Sequence, residues 1–426
     1  MGKRSGHQLK KRLLPWIGLL SLVCFLVTAG LPGFAVASDP PRNVIFLIGD
    51  GMGFEQVKAA GIYLMGVEGT LSFESLPYHA EMTTYSANSS VTDSAAASTA
   101  MATGVKVNNG VVSVEIPGDA SELETILEFM KDRGKRTGLV TTTNMTHATP
   151  AGFGGHDSNR NNTSAIAGDY LNQTRPNVLF GGGGNDMSVS SALIAGYTVV
   201  TVAAEMLALD TAAVSLASGQ FGSGYMPYEL DGLGDLPHLS QMTEIALDIL
   251  DNNLDGFFLM IEGGRIDHAG HSNDIRRNVH ETIEFSYAVQ KVIAWAANRS
   301  DTLILVTADH ETGGLTVTEN TDDDGYPIVS WSTTNHTGVN VPLYAWGVNA
   351  QLISGVIDNT ELFAIATASI CLGDFYNDGD VDGADLALLI EDLGCTSGCA
   401  YDLTGDGEVD ADDLAELAMQ FGEGCP

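Results

Sequence analysis

Three continuous apolar runs constrain the fold of this chain more than any other sequence feature. They are Asn43–Ile48 (NVIFLI), 256–261 (GFFLMI) and Thr302–Thr307 (TLILVT), and each is followed by glycines with acidic or histidine residues. Such runs are typical of strands buried on both faces, as in a parallel sheet. Open α/β sheets bind ligands outside the carboxyl ends of their strands. The runs therefore predict an α/β fold with a polar site at one edge of the sheet.

The segments between these runs alternate between helix and strand patterns, as expected of a parallel sheet. They predict helices at about 54–65, 122–131, 242–250 and 278–298, and further strands at 137–142 and 341–346. The glycine run 181–184 is not followed by Lys-Ser/Thr, so it is not a P-loop, and we interpret it as a flexible turn. Residues 185–240 have no pattern that predicts much.

Acidic and histidine residues cluster after the three apolar runs. The spacing of Asp267 and His271 places both on one face of a helix. So many potential ligands after buried strands favour a metal site over a purely structural role. Taken alone, Asp50 is equally well explained as a turn residue that caps the next helix. The residues are Asp50, Glu262, Asp267, His271, Asp309 and His310. A lone His336 farther along the chain would usually be structural, but it becomes a candidate because the other motifs leave one ligand position unfilled.

A serine stands where a helix is predicted to begin. The stretch VTDSAAASTA (91–100) passes from small polar residues to alanines with high helix propensity, which puts Ser94 at a helix N-terminus. Backbone N–H groups and the helix dipole favour an anion there. An N-cap followed by a packing helix explains the stretch as well. No G-x-S-x-G surrounds Ser94, so a nucleophilic role would require activation by a metal.

Three further residues between 147 and 160 are candidates for the same site. Arg160 could bind two phosphate oxygens through its guanidinium, although a lone arginine is more often a surface residue. His147 and Thr149 are two residues apart, so in an extended chain they would share one side.

The types of ligand define the chemistry that this set of residues can perform. Thr149 and Glu262 are hard oxygen ligands of the kind that magnesium prefers. Two metals about 4 Å apart bind both the attacking and the leaving oxygen of an in-line phosphoryl displacement. One zinc would activate Ser94, and Arg160 with the helix N-terminus would hold the phosphate oxygens. Nitrogen and oxygen ligands without sulfur, suited to one or two zinc ions, come from Asp50, Asp267, His271, Asp309, His310 and His336.

At these residues the chain closely resembles the alkaline phosphatase family. The resemblance implies a largely parallel sheet with helices on both faces, in a catalytic domain at 38–368. It also implies hydrolysis of phosphate monoesters to inorganic phosphate and alcohol through a phosphoserine, at a site with two zinc ions and one magnesium ion. The shared motifs occur in the family's order: IGDGMG (48–53), VTDSAAASTA (91–100), HATP (147–150), EGGRIDHAGH (262–271), TADHETGG (307–314) and NHTG (335–338).

The resemblance also implies a role for each matching residue. Ser94 becomes the phosphorylated nucleophile and Arg160 the phosphate clamp. One zinc is assigned to Asp267, His271 and His336, and the other to Asp50, Asp309 and His310. The magnesium is assigned to Asp50, Thr149 and Glu262, with His147 beside it.

Two positions vary within this family. His147 stands where some members have an aspartate in the magnesium shell, and His268, a candidate substrate-binding residue, stands where some have a lysine near the phosphate. Both leave open the identity of the third metal and the pH optimum. Many members are homodimers, so a homodimer is an open expectation here.

The N-terminus predicts export. Five basic residues precede the apolar run 13–29, and Ala35-Val36-Ala37 offers a cleavage site, so residues 1–37 are interpreted as a signal peptide. An uncleaved membrane anchor is the alternative. Cleavage removes five of the 19 basic residues and none of the 54 acidic ones, so the net charge of −35 becomes −40. That charge argues against nucleic acid or an anionic membrane as a partner and suits a soluble protein that binds several cations. The signal peptide predicts a secreted, periplasmic or cell-surface location after cleavage near Ala37.

The last 56 residues, 371–426, contain a repeat with an offset of 28. The repeated segments, 374–386 and 402–414, have acidic residues and a glycine at the positions that a calcium loop of EF-hand type requires. One helix follows each loop, at 386–392 and 414–421, which resembles a dockerin-type calcium-binding pair. The candidate calcium ligands are Asp374, Asp378, Asp380, Asp382, Asp385, Asp402, Thr404, Asp406, Glu408, Asp410 and Asp413.

The tail also holds four of the five cysteines, and four cysteines permit three pairings. We favour one bridge within each repeat, Cys371 with Cys395 and Cys399 with Cys425. The functional interpretation of the tail is attachment to a cohesin-like or cell-surface partner. The alternative is a calcium-stabilised appendage without a partner.

Two other functions compete with phosphomonoester hydrolysis. A related metal enzyme could prefer phosphodiesters or sulfate esters, but a serine at position 94 argues against both. A catalytically silent phosphate-binding or surface-binding protein is the other alternative. It would not need Ser94 beside a complete set of metal ligands.

Overall fold

The computed structural model describes residues 41–368, 375, 381–396, 399–404 and 408–421. These residues fall into two compact units that divide between Ile370 and Cys371. The predicted signal peptide, residues 1–37, lies outside the described residues. Among the described helices, none combines the length and the apolar character that crossing a membrane requires.

The larger unit is built on a ten-stranded sheet with the order β14-β2-β13-β8-β1-β7-β3-β4-β6-β5. Only β13 runs antiparallel to its neighbours, so the predicted largely parallel sheet is confirmed. The strands are β1 (Asn43–Ile48), β2 (Tyr78–Thr83), β3 (Arg136–Asn144), β4 (Val178–Gly182), β5 (Thr198–Val200), β6 (Ala217–Gln220), β7 (Phe257–Glu262), β8 (Thr302–Thr307), β13 (Val341–Gly347) and β14 (Val356–Asp358).

Four short strands lie outside this sheet and form two antiparallel pairs. They are β9 (Glu311–Thr312) with β12 (His336–Thr337), and β10 (Leu315–Thr321) with β11 (Pro327–Trp331). In the first pair His336 lies opposite Thr312. This pairing brings a residue from a distant loop to the segment that follows β8.

Eleven α-helices accompany the strands of the larger unit. Residues of β1, β7 and β8 are buried along their whole length, which is why their sequences are continuously apolar. The helices are α1 (Phe54–Met65), α2 (Ser94–Thr103), α3 (Ile126–Asp132), α4 (Ala148–Gly154), α5 (Thr163–Asn172), α6 (Val189–Ile194), α7 (Ala203–Leu207), α8 (Leu239–Leu250), α9 (Arg265–His271), α10 (Ile275–Ala296) and α11 (Glu361–Thr367).

Three local predictions were wrong. The helix predicted from residue 122 begins at Ile126, because Thr125 and Glu128 cap each other's backbone N–H groups at that point. Half of the glycine run 181–184 is not a turn but the end of β4. The segment with His147 and Thr149 is not extended, since His147 is the N-cap of α4 and Thr149 lies within that helix.

The described part of the smaller unit contains two helices, α12 (Gly383–Asp392) and α13 (Ala411–Gln420), close to the predicted positions. Val381, Leu389, Val409 and Leu417 form its buried core. The predicted disulfides are contradicted, because Cys395 is bonded to Cys399 with their Cα atoms 5.7 Å apart. Assigning one bridge to each repeat overlooked the turn after α12, which brings these two cysteines together although they belong to different repeats.

Candidate active site

The candidate site lies where four neighbouring parallel strands end. β8, β1, β7 and β3 are adjacent in the sheet, and each leads into one of the segments singled out in the sequence. Because their carboxyl ends lie at the same edge, residues far apart in the chain meet there. The distances among their side chains define three clusters of potential metal ligands.

The first cluster contains Asp50, Asp309 and His310, whose ligand atoms lie within 4.8 Å of one another. The Nε2 atom of His310 lies 3.2 Å from Asp309 Oδ2 and 3.5 Å from Asp50 Oδ1. All three side chains are buried, yet neither carboxylate oxygen of Asp50 accepts a hydrogen bond, and Oδ2 of Asp309 accepts none. Buried carboxylate oxygens without donors are what a bound cation would satisfy.

The second cluster contains Asp267, His271 and His336. On α9, the Nε2 atom of His271 lies 3.3 Å from Asp267 Oδ2, and it lies 3.2 Å from Nε2 of His336. Each histidine donates its Nδ1–H to a backbone carbonyl, His271 to Thr334 at 2.6 Å and His336 to Thr92 at 2.9 Å. Nδ1 is therefore the donor in both rings, and both Nε2 atoms face the same point. This is the orientation of histidines that ligate a metal.

The first two clusters adjoin each other. Asp267, His310 and His336 also have ligand atoms within 4.8 Å, and the rings of His310 and His336 stack with their centroids 3.5 Å apart. Thr312 joins the clusters, since its hydroxyl donates to Asp267 Oδ1 at 2.5 Å and lies 3.2 Å from His310 Nδ1. Thr312 stands within the motif TADHETGG, which gives no signal of this role.

The third cluster contains Asp50, His147 and Glu262, again within 4.8 Å. Glu262 ends β7 and accepts hydrogen bonds from the hydroxyls of Thr141 and Thr143 on β3 through Oε2, while its buried Oε1 has no partner. Burial raises the pKa of Glu262 to about 7 although these threonines lower it. Thr149 is the second residue of α4, and its buried hydroxyl oxygen has no hydrogen-bond partner among the described residues. The Thr149 hydroxyl also lowers the pKa of Glu262.

Ser94 is the first residue of α2, and Asp93 is its N-cap. The Asp93 carboxylate accepts from Ala96 N at 3.0 Å, which leaves the neighbouring N–H groups of the helix terminus free to meet an anion. The Ser94 hydroxyl is buried and lies 3.3 Å from His310 Nε2. The serine oxygen is thus in contact with the first ligand cluster.

Arg160 reaches the same helix terminus from the other side. Its Nη1 donates to Asp93 Oδ2 at 3.0 Å, and its Nη2 donates to His147 Nε2 at 3.4 Å. Asp93 also accepts from Gly110 N, so one carboxylate fixes both the start of α2 and the guanidinium. Asp93 stands within the motif VTDSAAASTA, which gives no signal of this link to Arg160.

His268 lies on α9 next to the metal-ligand candidates. Arg265 Nη1 donates to its Nδ1 at 2.7 Å, and since a guanidinium cannot accept, the ring proton of neutral His268 lies on Nε2. Burial and the positive charge of Arg265 lower the pKa of His268 to about 4, although Asp267 raises it. His268 is therefore a neutral hydrogen-bond donor at neutral and alkaline pH.

The electrostatics of the site favour cations. Burial, followed by the charges of Asp309, Asp267 and Glu262, raises the pKa of Asp50 well above its usual range. Asp267 behaves in the opposite way, because its hydrogen bond with His271 and the nearby imidazoles lower its pKa despite burial. Four buried carboxylates with imidazoles and no thiol are a donor set that fits zinc and magnesium.

Only some of the predicted calcium ligands can be described. Asp374, Asp378, Asp380 and Asp406 lie outside the described residues. Asp385 and Asp413 are buried, and each accepts the backbone N–H of the residue three before it, at 2.9 and 2.7 Å. Asp382 and Asp410 cap α12 and α13. Asp402 accepts from the Thr404 hydroxyl at 3.3 Å, and Glu408 is exposed.

Comparison with known proteins gives consistent matches over both units. The alkaline phosphatase family model matches residues 41–327 and 317–372, and the dockerin type I domain model matches 372–422. Alkaline phosphatase 3 of Bacillus subtilis (strain 168) is 33% identical over 83% of this chain and 95% of its own. The structure of the alkaline phosphatase from the Antarctic bacterium TAB5 matches with a TM-score of 0.69 and 30% identity, over 77% of this chain and 98% of that one. A variant of the TAB5 enzyme in which glutamate replaces a histidine, with magnesium bound in its M3 site, matches with a TM-score of 0.67 and 29% identity. That match covers 77% of this chain and 97% of the variant's chain.

Proposed function

Because this chain belongs to the alkaline phosphatase family and is a metal-dependent phosphomonoesterase, we propose that it acts through a phosphoserine at Ser94. The observation that carries this proposal is the position of the Ser94 hydroxyl, at a helix N-terminus and 3.3 Å from a histidine of a buried ligand cluster. The first two ligand clusters fit one zinc each, and the third, with Thr149, fits magnesium. When bound, these ions would supply charge that lowers the pKa of the serine hydroxyl and of water and neutralises the leaving oxygen.

The reaction divides into two displacements at phosphorus. Ser94 Oγ gives up its proton to solvent and attacks, so that the new O–P bond forms as the bond to the leaving oxygen breaks, and that oxygen takes up a proton to leave as the alcohol. A water molecule then attacks the phosphoserine, so that the bond between Ser94 Oγ and phosphorus breaks, inorganic phosphate leaves and Ser94 regains a proton. Both steps carry negative charge on the equatorial phosphate oxygens, so groups that hold these oxygens act in both.

The phosphate is held by residues on two sides of the serine. Arg160, kept in place by Asp93, offers its guanidinium as a fork for two phosphate oxygens. The free N–H groups at the start of α2 face the same anion. Because Arg265 donates to Nδ1 of His268, the Nε2–H of neutral His268 is the group that would donate a further hydrogen bond to the phosphate. All three contacts remain available in the phosphoserine.

The proposal is tested by comparing esters and metals on one preparation. An aryl phosphate monoester, its diester and an aryl sulfate are assayed at pH 7–10 with and without chelator, beside Ser94→Ala. We expect monoester turnover that chelator abolishes, that zinc with magnesium restores, and that Ser94→Ala lacks. A preference for the diester or the sulfate would replace the proposed substrate class. No turnover of any ester by zinc-loaded protein would favour the silent binder.

We further propose that the dockerin domain, with calcium in its two loops, attaches the enzyme to a cohesin-type partner. Dockerin membership and the repeated acidic loops support this proposal. Deleting residues 371–426 should leave phosphatase activity unchanged and abolish calcium-dependent retention on an immobilised cohesin module. Retention without calcium, or loss of activity on deletion, would contradict the assignment.

Export and assembly complete the proposal. Cleavage near Ala37 would release the enzyme outside the cytoplasm, where its disulfide forms in an oxidising environment. N-terminal sequencing of the mature protein distinguishes a cleaved signal from a retained anchor. Light scattering of the cleaved enzyme tests the homodimer that is common in its family.

A further inference from the structure

The glycine run 181–184 has a role beyond ending β4. A Cβ atom at Gly182 would overlap the carbonyl oxygen of Gly224, and one at Gly184 would approach the carbonyl oxygen of Ser223 to 2.8 Å. These neighbours belong to residues 221–228, here named the tyrosine loop. Because the obstacles are backbone atoms, a side chain at either position would have to displace the loop. The glycines therefore let the tyrosine loop lie directly against the end of the sheet.

Backbone hydrogen bonds fix the tyrosine loop at two points. Phe221 N donates to the Gly181 carbonyl at 2.8 Å, and Met226 N donates to the Thr142 carbonyl on β3 at 3.0 Å. The side chains of Phe221 and Met226 are both buried. Tyr225 directly precedes the second anchor, so its position is set by the same strand that leads to His147.

Tyr225 packs against His268, a candidate phosphate-binding residue, and against His147 of the third ligand cluster. Its ring centroid lies 4.5 Å from that of His268 and 5.8 Å from that of His147, the latter edge to face. The guanidinium of Arg265, which holds His268, lies 5.4 Å from the same ring. The tyrosine is nevertheless 49% exposed. About half of Tyr225 thus stays open to solvent beside His268, one of the residues proposed to hold the phosphate.

We propose that Tyr225 forms the aromatic wall against which the leaving group of the substrate packs, so that the enzyme prefers monoesters of planar aromatic alcohols and nucleosides. The proposal rests on the phosphomonoesterase function assigned above. An aromatic leaving group can stack on an aromatic ring beside the phosphate site, whereas an alkyl leaving group cannot. The phosphate itself is held by other residues, so Tyr225 discriminates among esters without binding the part that they share.

This role has a kinetic signature. The leaving group is present when Ser94 attacks and is absent from the phosphoserine. Loss of the wall therefore lowers kcat/KM for aromatic esters and changes neither kcat/KM for alkyl esters nor the inhibition constant of inorganic phosphate. Loss of a residue with a purely structural role would instead lower kcat/KM for both classes of ester and raise the inhibition constant of inorganic phosphate.

The test uses the full-length, metal-loaded enzyme with phenyl phosphate, ethyl phosphate and inorganic phosphate. We expect Tyr225→Ala to lower the ratio of kcat/KM for phenyl over ethyl phosphate roughly threefold to tenfold, the range of an aromatic pair. Tyr225→Phe, which keeps the ring, should keep the ratio within about twofold. Gly182→Ala, which displaces the loop, should lower the ratio as Tyr225→Ala does.

Tyr287→Ala is the matched control, because Tyr287 is exposed to a similar extent, 42%, on α10. It should leave the ratio unchanged. An equal loss with both esters after Tyr225→Ala, or a rise in the inhibition constant of phosphate alone, would overturn the proposal. Wild-type enzyme that hydrolyses neither ester would instead refute the phosphomonoesterase function, so the two failures are distinguishable.

Discussion

A buried carboxyl group on α10 should make the stability of this enzyme depend on pH. Glu281 lies on α10 with 4% exposure, and its Oε1 accepts the backbone N–H of Glu229 at 2.8 Å. Burial, followed by the charge of Glu229, raises the pKa of Glu281 to about 8 from the ordinary 4.5, although Glu229 N and Arg265 lower it. The Glu284 carboxyl adds a further small increase.

The sign of the effect follows from which state binds the proton more tightly. Since the pKa of Glu281 is higher in the folded protein, the free energy of unfolding is greatest below pH 4.5 and falls as pH rises toward 8. Each pH unit in that window is worth about 1.4 kcal/mol. Relative to its value at low pH, the free energy of unfolding is therefore lower by about 1 kcal/mol at pH 5 and by about 4 to 5 kcal/mol at pH 9.

Glu281→Gln removes this cost while its amide oxygen can still accept from Glu229 N. Relative to wild type, the variant should gain about 4 kcal/mol in unfolding free energy between pH 5 and pH 9. Equilibrium urea unfolding with zinc and magnesium present measures the difference at each pH, with the slope m unchanged. Glu124→Gln, at an exposed position, is the control. A variant advantage that is constant with pH, or largest in acid, would refute the reasoning.

Three further substitutions test contacts within the site. Asp93→Asn should raise the inhibition constant of inorganic phosphate roughly threefold to tenfold, because it removes the charged partner of Arg160 while keeping the helix cap. An unchanged inhibition constant would show that the ion pair with Asp93 does not position Arg160. Thr312→Val should lower kcat/KM and zinc retention about tenfold to a hundredfold, since the hydroxyl orients Asp267, as measured by metal analysis after dialysis. Gly51→Ala should lower the thermal unfolding midpoint and activity together, because Gly51 has φ +74 and a Cβ there would lie 2.8 Å from the Asp267 backbone. The backbone strain of an alanine at this φ alone costs about 1–2 kcal/mol. Unchanged activity with an unchanged unfolding midpoint in calorimetry would contradict this prediction.

The edge of the sheet that carries the site could be predicted from sequence because it depends on local pattern. An apolar run such as Asn43–Ile48 identifies a buried strand, and the residue after it must then lie at the carboxyl edge. No local pattern, however, states that β8, β1, β7 and β3 are neighbours. That order depends on long-range pairing, so the grouping of ligands into three clusters came from family resemblance rather than from spacing.

Residues that support the ligands were harder to predict than the ligands. Thr312 and Asp93 stand within quoted motifs, but each acts on a partner 45 to 67 residues away. The threonine pair on β3 that holds Glu262 reads as ordinary strand sequence. One error was avoidable, since Thr125 and Glu128 form a capping box that marks the start of α3.

Tyr225 shows what sequence analysis cannot supply even in principle. It lies in 185–240, where helical patches alternate with loops and no motif appears, and an exposed tyrosine in a loop has no signature of its own. Its position follows from two features that look unrelated in sequence. The glycines at the end of β4 have no Cβ atoms to exclude the loop, and the backbone N–H of Met226 donates a hydrogen bond to β3. The catalytic groups can therefore be predicted from family motifs, while the surface proposed to meet the leaving group cannot. Substrate preference is accordingly the property for which its structure adds most to its sequence.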